Sequence, residues 1–254
     1  MAPEAASIKV PPTLVRRGRK LLGWAQRQFY DRVMDVDIAG AEHIPADTGF
    51  LVAANHASHL DAGLVKAGLG ALGDRMLALA AQDYFFKSPL RRWYFENFTN
   101  LMPLERSGSF KSTMRRCLKA LSAGTPLLIF PEGTRSRDGR IATFKPAIGY
   151  LAMASRAPVL PMYLWGTYEA MPKGGLLIPM ARRIGVVIGP AIPAELLDAL
   201  TAGKDKHEAY RVASGCVEMA VRALRERHPL SPERLYEAMR AQEGEVDEAA
   251  QVRR

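Results

Sequence analysis

The chain has 254 residues, 48% of them hydrophobic, a formal net charge of +9 and two cysteines. That length supports one α/β domain that buries roughly 70 to 75% of the surface its unfolded chain would expose. Cys117 and Cys216 lie far apart with no C-x-x-C, a pattern that suggests neither a disulfide framework nor a zinc site and fits a reducing compartment.

The N-terminal residues lack the basic, apolar and small-residue order of a signal peptide. Residues 14 to 34, "LVRRGRKLLGWAQRQFYDRVM", place Leu14, Leu21, Leu22, Ala25, Phe29 and Val33 at helical spacing, with Arg16, Arg17, Lys20 and Arg27 elsewhere around the helix. Two placements satisfy such a basic amphipathic helix. It can lie on an anionic bilayer surface, or it can pack on the domain with its charges solvated.

The body alternates short apolar runs with helical patterns, as an α/β sheet with helices around it requires. Strands are predicted at "GFLVAAN", "RMLALAA", "LMPLE", "PLLIF", "PVLPMYLWG" and "RIGVVIGPA". Helices are predicted over 59 to 69, 87 to 96 and 109 to 123, with another from about residue 146. A long loop rich in Gly, Pro and Met is expected between 168 and 181. From Lys204 to Arg227, Ala209, Val212, Cys216, Ala220 and Ala223 form an apolar stripe, which makes Cys216 a core residue. A short helix at "SPERLYEAMRAQ" and a frayed polar tail complete the chain. The longest apolar candidate for a membrane span, "LVKAGLGALGDRMLALAA", is broken by Lys66, Asp74 and Arg75.

A net charge of +9 calls for an anionic partner: membrane phospholipid, a phosphorylated substrate, coenzyme A or nucleic acid. No nucleic-acid-binding module is recognisable, so that partner is not expected. "GLGALG", Gly68 to Gly73, matches a dinucleotide fingerprint in its letters but follows a helix and precedes a strand, the reverse of what such a site needs. It is read as a helix-ending turn. No GxxxxGK[ST], HExxH, GxSxG or EF-hand pattern occurs.

Two constellations carry chemistry. In "NHASHLD", the predicted strand ends at Asn55 and leaves His56 at its C-terminal tip, where open α/β sheets place their reactive groups. Ser58 to Asp61 also fits an S-x-x-D capping box, so Asp61 could serve only the helix. On one continuous helix the two residues, five apart, would face about 140° away from each other. A strand-to-helix turn instead lets Asp61 accept from one imidazole nitrogen while the other takes a proton. In "LLIFPEGTRSRDG", Glu132 can accept from hydroxyls, Gly133 admits close backbone approach, and Arg135 and Arg137 offer forked donors suited to phosphate. A weaker element, "PLERSGS", sets Arg106 before a predicted helix, where backbone N–H groups could share an anion.

Taken together, the chain resembles the glycerolipid acyltransferase family, in its 1-acylglycerol-3-phosphate (lysophosphatidate) acyltransferase-like branch. "NHASHLD" is similar to that family's H-x4-D motif, "PLERSG" to its second motif, "FPEGTRS" to its third and "APVLPMY" to its fourth, in the same order, from about Ile38 to Pro193. The resemblance implies an α/β fold like that of glycerol-3-phosphate acyltransferase, a mixed sheet flanked by helices, here with the N-terminal amphipathic helix added. It implies His56 as base and Asp61 as its orienting partner. The acceptor hydroxyl would attack an acyl thioester of coenzyme A or acyl carrier protein without an obligatory acyl-enzyme. It also implies that Arg106, Glu132, Gly133, Thr134 and Arg135 position a lysophospholipid acceptor, and Lys145 is a further candidate for anion contact. The family often has glycine two places after that lysine, where this chain has Ala147. That departure leaves another lysolipid or a glycolipid open as acceptor. No metal or cofactor is implied. The expected organisation is a membrane-surface segment over 1–37, an acyltransferase domain over 38–230 and a C-terminal helix and tail over 231–254, peripheral on the cytoplasmic face of a membrane.

Overall fold

A computed structural model describes residues 11–46, 48–81, 93, 99–104, 110–174 and 178–252. The first helix, α1 (Pro12–Arg32), leads into β1 (Asp35–Ala39). Strand β2 (Leu51–Ala54), helix α2 (Asp61–Gly68) and β3 (Leu77–Ala81) follow. Then come β4 (Leu101–Leu104), α3 (Phe110–Ser122), β5 (Leu127–Ile129) and α4 (Ala147–Ser155). The chain continues through β6 (Val159–Trp165), the single turn α5 (Thr167–Ala170), β7 (Arg183–Ile188), α6 (Ala194–Thr201), α7 (Lys206–Arg225) and α8 (Pro232–Val252).

The strands form one sheet in the order β1-β7-β6-β2-β5-β3-β4. Every neighbouring pair is parallel except β6 and β7. The central strands are buried on both faces, which explains why they read as continuous apolar runs. Their alternating side chains feed two cores. Leu51, Ala53, Leu127 and Ile129 join α3, α4 and α7 on one side. Phe50, Val52, Ala54 and Leu128 join Tyr30, Met34 and α2 on the other. Both cysteines are buried and unpaired, and burial pushes their thiols up, to about 11 for Cys117 and about 12 for Cys216. Cys216 is a core residue, as the stripe around it predicts, and Cys117 is one as well.

The expected mixed sheet flanked by helices is present, with differences at its margins. Strand β1 was not expected: Asp35 and Asp37 dilute its pattern, and as an edge strand paired only with β7 it stays mostly exposed. It crosses the boundary expected at 37/38, so the sheet begins at Asp35. Helix α5 overlaps the start of the stretch expected to be loop, and the two-turn α6 behind Pro193 had too short a pattern to be seen. Helix α8 runs to Val252 where a frayed tail was expected, its sequence being rich in the strong helix formers Ala, Glu and Gln. The "GLGALG" stretch ends α2 and enters a 3₁₀ turn, Gly70–Asp74, before β3, as the helix-ending reading requires. The helix expected over 87–96 lies outside the described residues apart from Trp93, which is helical.

This topology decides what meets at one end of the sheet. Strands β2, β3, β4, β5 and β6 run the same way, so their C-terminal ends lie together, and the first residues of β7 and β1 lie at that same end. The ends of β2, β5 and β6 and the exit of α1 therefore share one edge of the fold.

Candidate active site

Asn55 closes β2 by clamping it to β6. Its side-chain amide donates to the Leu164 carbonyl at 2.9 Å, and its carbonyl oxygen accepts the Leu164 N–H at 2.7 Å. His56 is the next residue, and its backbone is held at both ends by the turn after β5. Its N–H donates to Glu132 Oε1 at 2.7 Å, and its C=O accepts from the Ser136 N–H at 2.7 Å. The imidazole lies flat on Phe130, with ring centroids 3.9 Å apart and 10° between planes. Two constellations separated by about seventy residues in sequence are thus one object.

His56 Nδ1 lies 2.8 Å from Asp61 Oδ2. That same oxygen accepts the backbone N–H groups of Ala57 at 2.6 Å and Ser58 at 2.8 Å. Asp61 is 0% exposed and the His56 side chain 21% exposed. A carboxylate with two backbone donors and one imidazole donor on a single oxygen fixes the Nδ1–H tautomer. The Nε2 atom has no protein partner among the described residues. Base and cap are therefore compatible, because Asp61 bonds the Ser58 N–H as a capping residue does while it holds His56. The regular helix starts at Asp61, later than expected, because Ser58 to Leu60 form a tighter turn. In that turn the Ser58 hydroxyl donates to the Met171 carbonyl at 2.8 Å and accepts the Leu60 N–H at 3.2 Å.

The turn after β5 builds the second wall. Gly133 has φ +73°, and a Cβ there would lie 2.7 Å from Lys145 Nζ. Any other residue would be strained and would displace the lysine, so the glycine is needed where Lys145 crosses it. Glu132 is buried, with Oε1 on the His56 N–H and Oε2 on the Ala142 N–H at 2.9 Å. Burial pushes its carboxyl up to about 7, reinforced by the negative charge of Asp61 and opposed by the two N–H bonds and Arg222. Through its first bond it holds the backbone of His56. Thr134 and Arg135 follow at the rim, where Thr134 Oγ1 accepts from Lys173 Nζ at 3.1 Å. His59 sits close enough to Arg135 and His56 that burial and those positive charges lower its pKa, favouring the neutral ring.

His56, Asp61, Glu132, Gly133, Thr134, Arg135 and Lys145 all belong to this end of the sheet, as the sequence anticipates. Arg106 and the rest of "ERSGS" lie outside the described residues. Sequence reasoning missed Asn55, Phe130, Ser136 and Lys173. Asn55 and Phe130 directly flank the two motifs, so their positions at strand ends were available as a signal. Nothing local marked Ser136 as a backbone donor or Lys173 as a neighbour of Thr134. Among the described residues, no three His, Cys, Asp or Glu side chains converge as a metal centre would need.

The arrangement can remove a proton from a hydroxyl at Nε2, hold the resulting imidazolium on a buried carboxylate, and receive an anion beside it. Known proteins resemble the chain in sequence and fold. The chain is 31% identical over 180 residues to the "1-acyl-sn-glycerol-3-phosphate acyltransferase LPAT1, chloroplastic" of Arabidopsis thaliana, covering 70% of this chain and 49% of that protein. It is 25% identical over 156 residues to the 1-acyl-sn-glycerol-3-phosphate acyltransferase of Bacillus subtilis (strain 168), covering 61% and 72%. The crystal structure of the 1-acyl-sn-glycerophosphate (LPA) acyltransferase PlsC from Thermotoga maritima superposes with a TM-score of 0.60 at 27% identity, over 83% of this chain and 82% of that one. The chain spans about half the length of the plant relatives it matches. Residues 35–165 match the family described as Acyltransferase, and they contain β1 through β6 with both halves of the His56 site: the chain belongs to the acyltransferase family.

Proposed function

We propose that this protein transfers a fatty acyl group from acyl-CoA or acyl carrier protein to the free hydroxyl of a lysophosphatidate-like glycerolipid, in phospholipid biosynthesis. The observation that carries the reading is His56, braced at its backbone by Glu132 and Ser136 and at Nδ1 by Asp61, with Nε2 left for substrate. Nε2 takes the hydroxyl proton as the oxygen attacks the thioester carbonyl. The tetrahedral adduct then collapses, the C–S bond breaks, and the departing thiolate takes the proton back from the imidazolium. The energy of the thioester supplies the leaving group, so the step asks no cofactor of the protein. Thr134, Arg135, Lys145 and Arg106 supply the groups for an anionic substrate. The test is a panel of lysolipid and glycolipid acceptors offered with one acyl-CoA and one acyl carrier protein donor, read by product mass and thiol release. Ester product from a lysophosphatidate-like acceptor is expected. Lack of product and thiol across the panel would leave only a lipid or anion binder on this scaffold.

The reading includes a peripheral site on an anionic membrane, at its cytoplasmic face. No described helix is long and apolar enough to cross a bilayer. Helix α1 touches the domain through its last turns, and Tyr30 is its one buried residue. Tyr30 stands nine residues from Leu21, about 180° round an ideal helix. Leu14 at 54%, Leu21 at 64% and Trp24 at 56% exposure turn away from the domain. That disposition favours the bilayer placement over packing on the domain, and α1 leaves at the catalytic edge. The two free cysteines suit a reducing compartment. Leu14→Glu combined with Leu21→Glu is expected to lower partition into phosphatidylglycerol vesicles by more than about tenfold, since each buried leucine contributes about 1.5–3 kcal/mol. Co-sedimentation measures it, and unchanged partition would remove α1 from the interface.

A further inference from the structure

The connection between β6 and β7 returns across the catalytic edge and is fastened there. Tyr168 donates its hydroxyl to the Arg137 carbonyl at 2.8 Å, and its ring lies 3.1 Å from where a Cβ on Gly139 would stand. The Met171 carbonyl accepts from Ser58 Oγ at 2.8 Å, two residues from His56, and Ala170 and Met171 are buried. The Met180 N–H donates to the Ala170 carbonyl at 2.8 Å, which closes the base of the loop. This segment belongs to none of the four sequence motifs, yet it is tied to both halves of the site.

Lys173 projects from this fastened stretch, with Nζ 3.1 Å from Thr134 Oγ1 and 3.4 Å from the Arg135 carbonyl. Both acceptors are neutral, and among the described residues no carboxylate pairs with Lys173. The Lys145 ammonium lies beside Gly133 on the same turn. Arg135 adds a third positive group, near enough to His59 to depress its pKa. The neighbouring acid, Glu132, spends both oxygens on backbone amides. Three cationic side chains gathered about one short turn, with both oxygens of Glu132 on backbone amides, make a place where an anion is favoured.

We propose that Lys173 completes a phosphate-binding site on the Gly133–Arg135 turn and takes a phosphomonoester dianion of substrate. The assignment rests on the acyl-transfer reading for its biological role but not for its test. A phosphomonoester can come from the acceptor headgroup or from the 3′-phosphate of coenzyme A, and the position beside Thr134 and Arg135 favours the acceptor. Lysine acts as a point charge at such a site, so arginine can replace it and methionine cannot.

Binding of inorganic phosphate to the full chain, by calorimetry, decides the matter without requiring turnover. Lys173→Met is expected to weaken phosphate binding roughly tenfold while Lys173→Arg stays within about twofold of wild type. The melting temperature of Lys173→Met is expected to match wild type, because methionine retains the apolar stem. Equal phosphate affinity in Lys173→Met and wild type overturns the proposal, as does loss of binding in Lys173→Arg equal to that in Lys173→Met. With turnover established, a raised KM for the phosphorylated acceptor at unchanged kcat assigns the dianion to the acceptor, and a raised KM for acyl-CoA assigns it to the donor. If no acceptor in the panel is acylated, the functional reading fails while the phosphate measurement still stands.

Discussion

His56→Ala is expected to lower kcat by roughly 10²- to 10⁴-fold, the span general-base catalysis contributes, while the fold and the KM for the acceptor stay close to wild type. The fold should survive because the groups that shape the turn use the backbone of residue 56. Its N–H bonds Glu132, its C=O accepts from Ser136, and alanine keeps both. What goes is the ring between Phe130 and Asp61. Removing it strips Asp61 Oδ2 of one donor and leaves that oxygen the Ala57 and Ser58 amides, while Oδ1, buried without a hydrogen-bond partner among the described residues, is unchanged. Thiol release from the acyl donor, followed against acceptor concentration, measures the effect. Retention of wild-type kcat would mean that the hydroxyl proton leaves by another route and that the His56–Asp61 pair is only a helix cap.

The central sheet and the place of His56 at a strand tip were legible in the sequence, for physical reasons. Strands buried on both faces, such as Leu51–Ala54 and Leu127–Ile129, must be apolar throughout, and that leaves an unmistakable run. His56 and Glu132 each follow such a run, and strand ends that point the same way place them together. The edge strand Asp35–Ala39 was hidden because one neighbour and an exposed face demand little of its residues. The role of Glu132 was hidden for a different reason. A carboxylate after a strand looks the same in sequence whether it faces a substrate hydroxyl or a backbone amide, and the return of the chain that brings the Ala142 N–H to Glu132 leaves no local mark. Lys173 reaches Thr134 across 39 residues through a loop with no periodicity, so nothing local could announce it.

Glu132→Gln separates those two roles. If Glu132 bound acceptor directly, the change would raise KM. The geometry instead predicts a fall in kcat of roughly 10²-fold, the cost of a misplacement of about 1 Å at a catalytic group, with KM for both substrates within about twofold. A glutamine has one acceptor oxygen for two amides. Whichever of His56 N–H and Ala142 N–H keeps it, the other meets an NH₂ group, and a buried unsatisfied donor costs about 1–3 kcal/mol. The loss therefore appears in stability as well, with a pH dependence of definite sign. The carboxyl of Glu132 is raised from 4.5 to about 7 in the folded protein, so between those values the folded chain holds a proton the unfolded chain has released. Stability from this group is full below the unfolded value and declines as pH rises towards 7. Glutamine carries no such proton and removes that slope. Denaturant unfolding at pH 5 and pH 8 should show the gap between wild type and Glu132→Gln narrowing at the higher pH. A gap that does not narrow would mean that the two N–H bonds outweigh burial and hold Glu132 ionised throughout, and a raised KM at constant kcat would return the residue to the substrate.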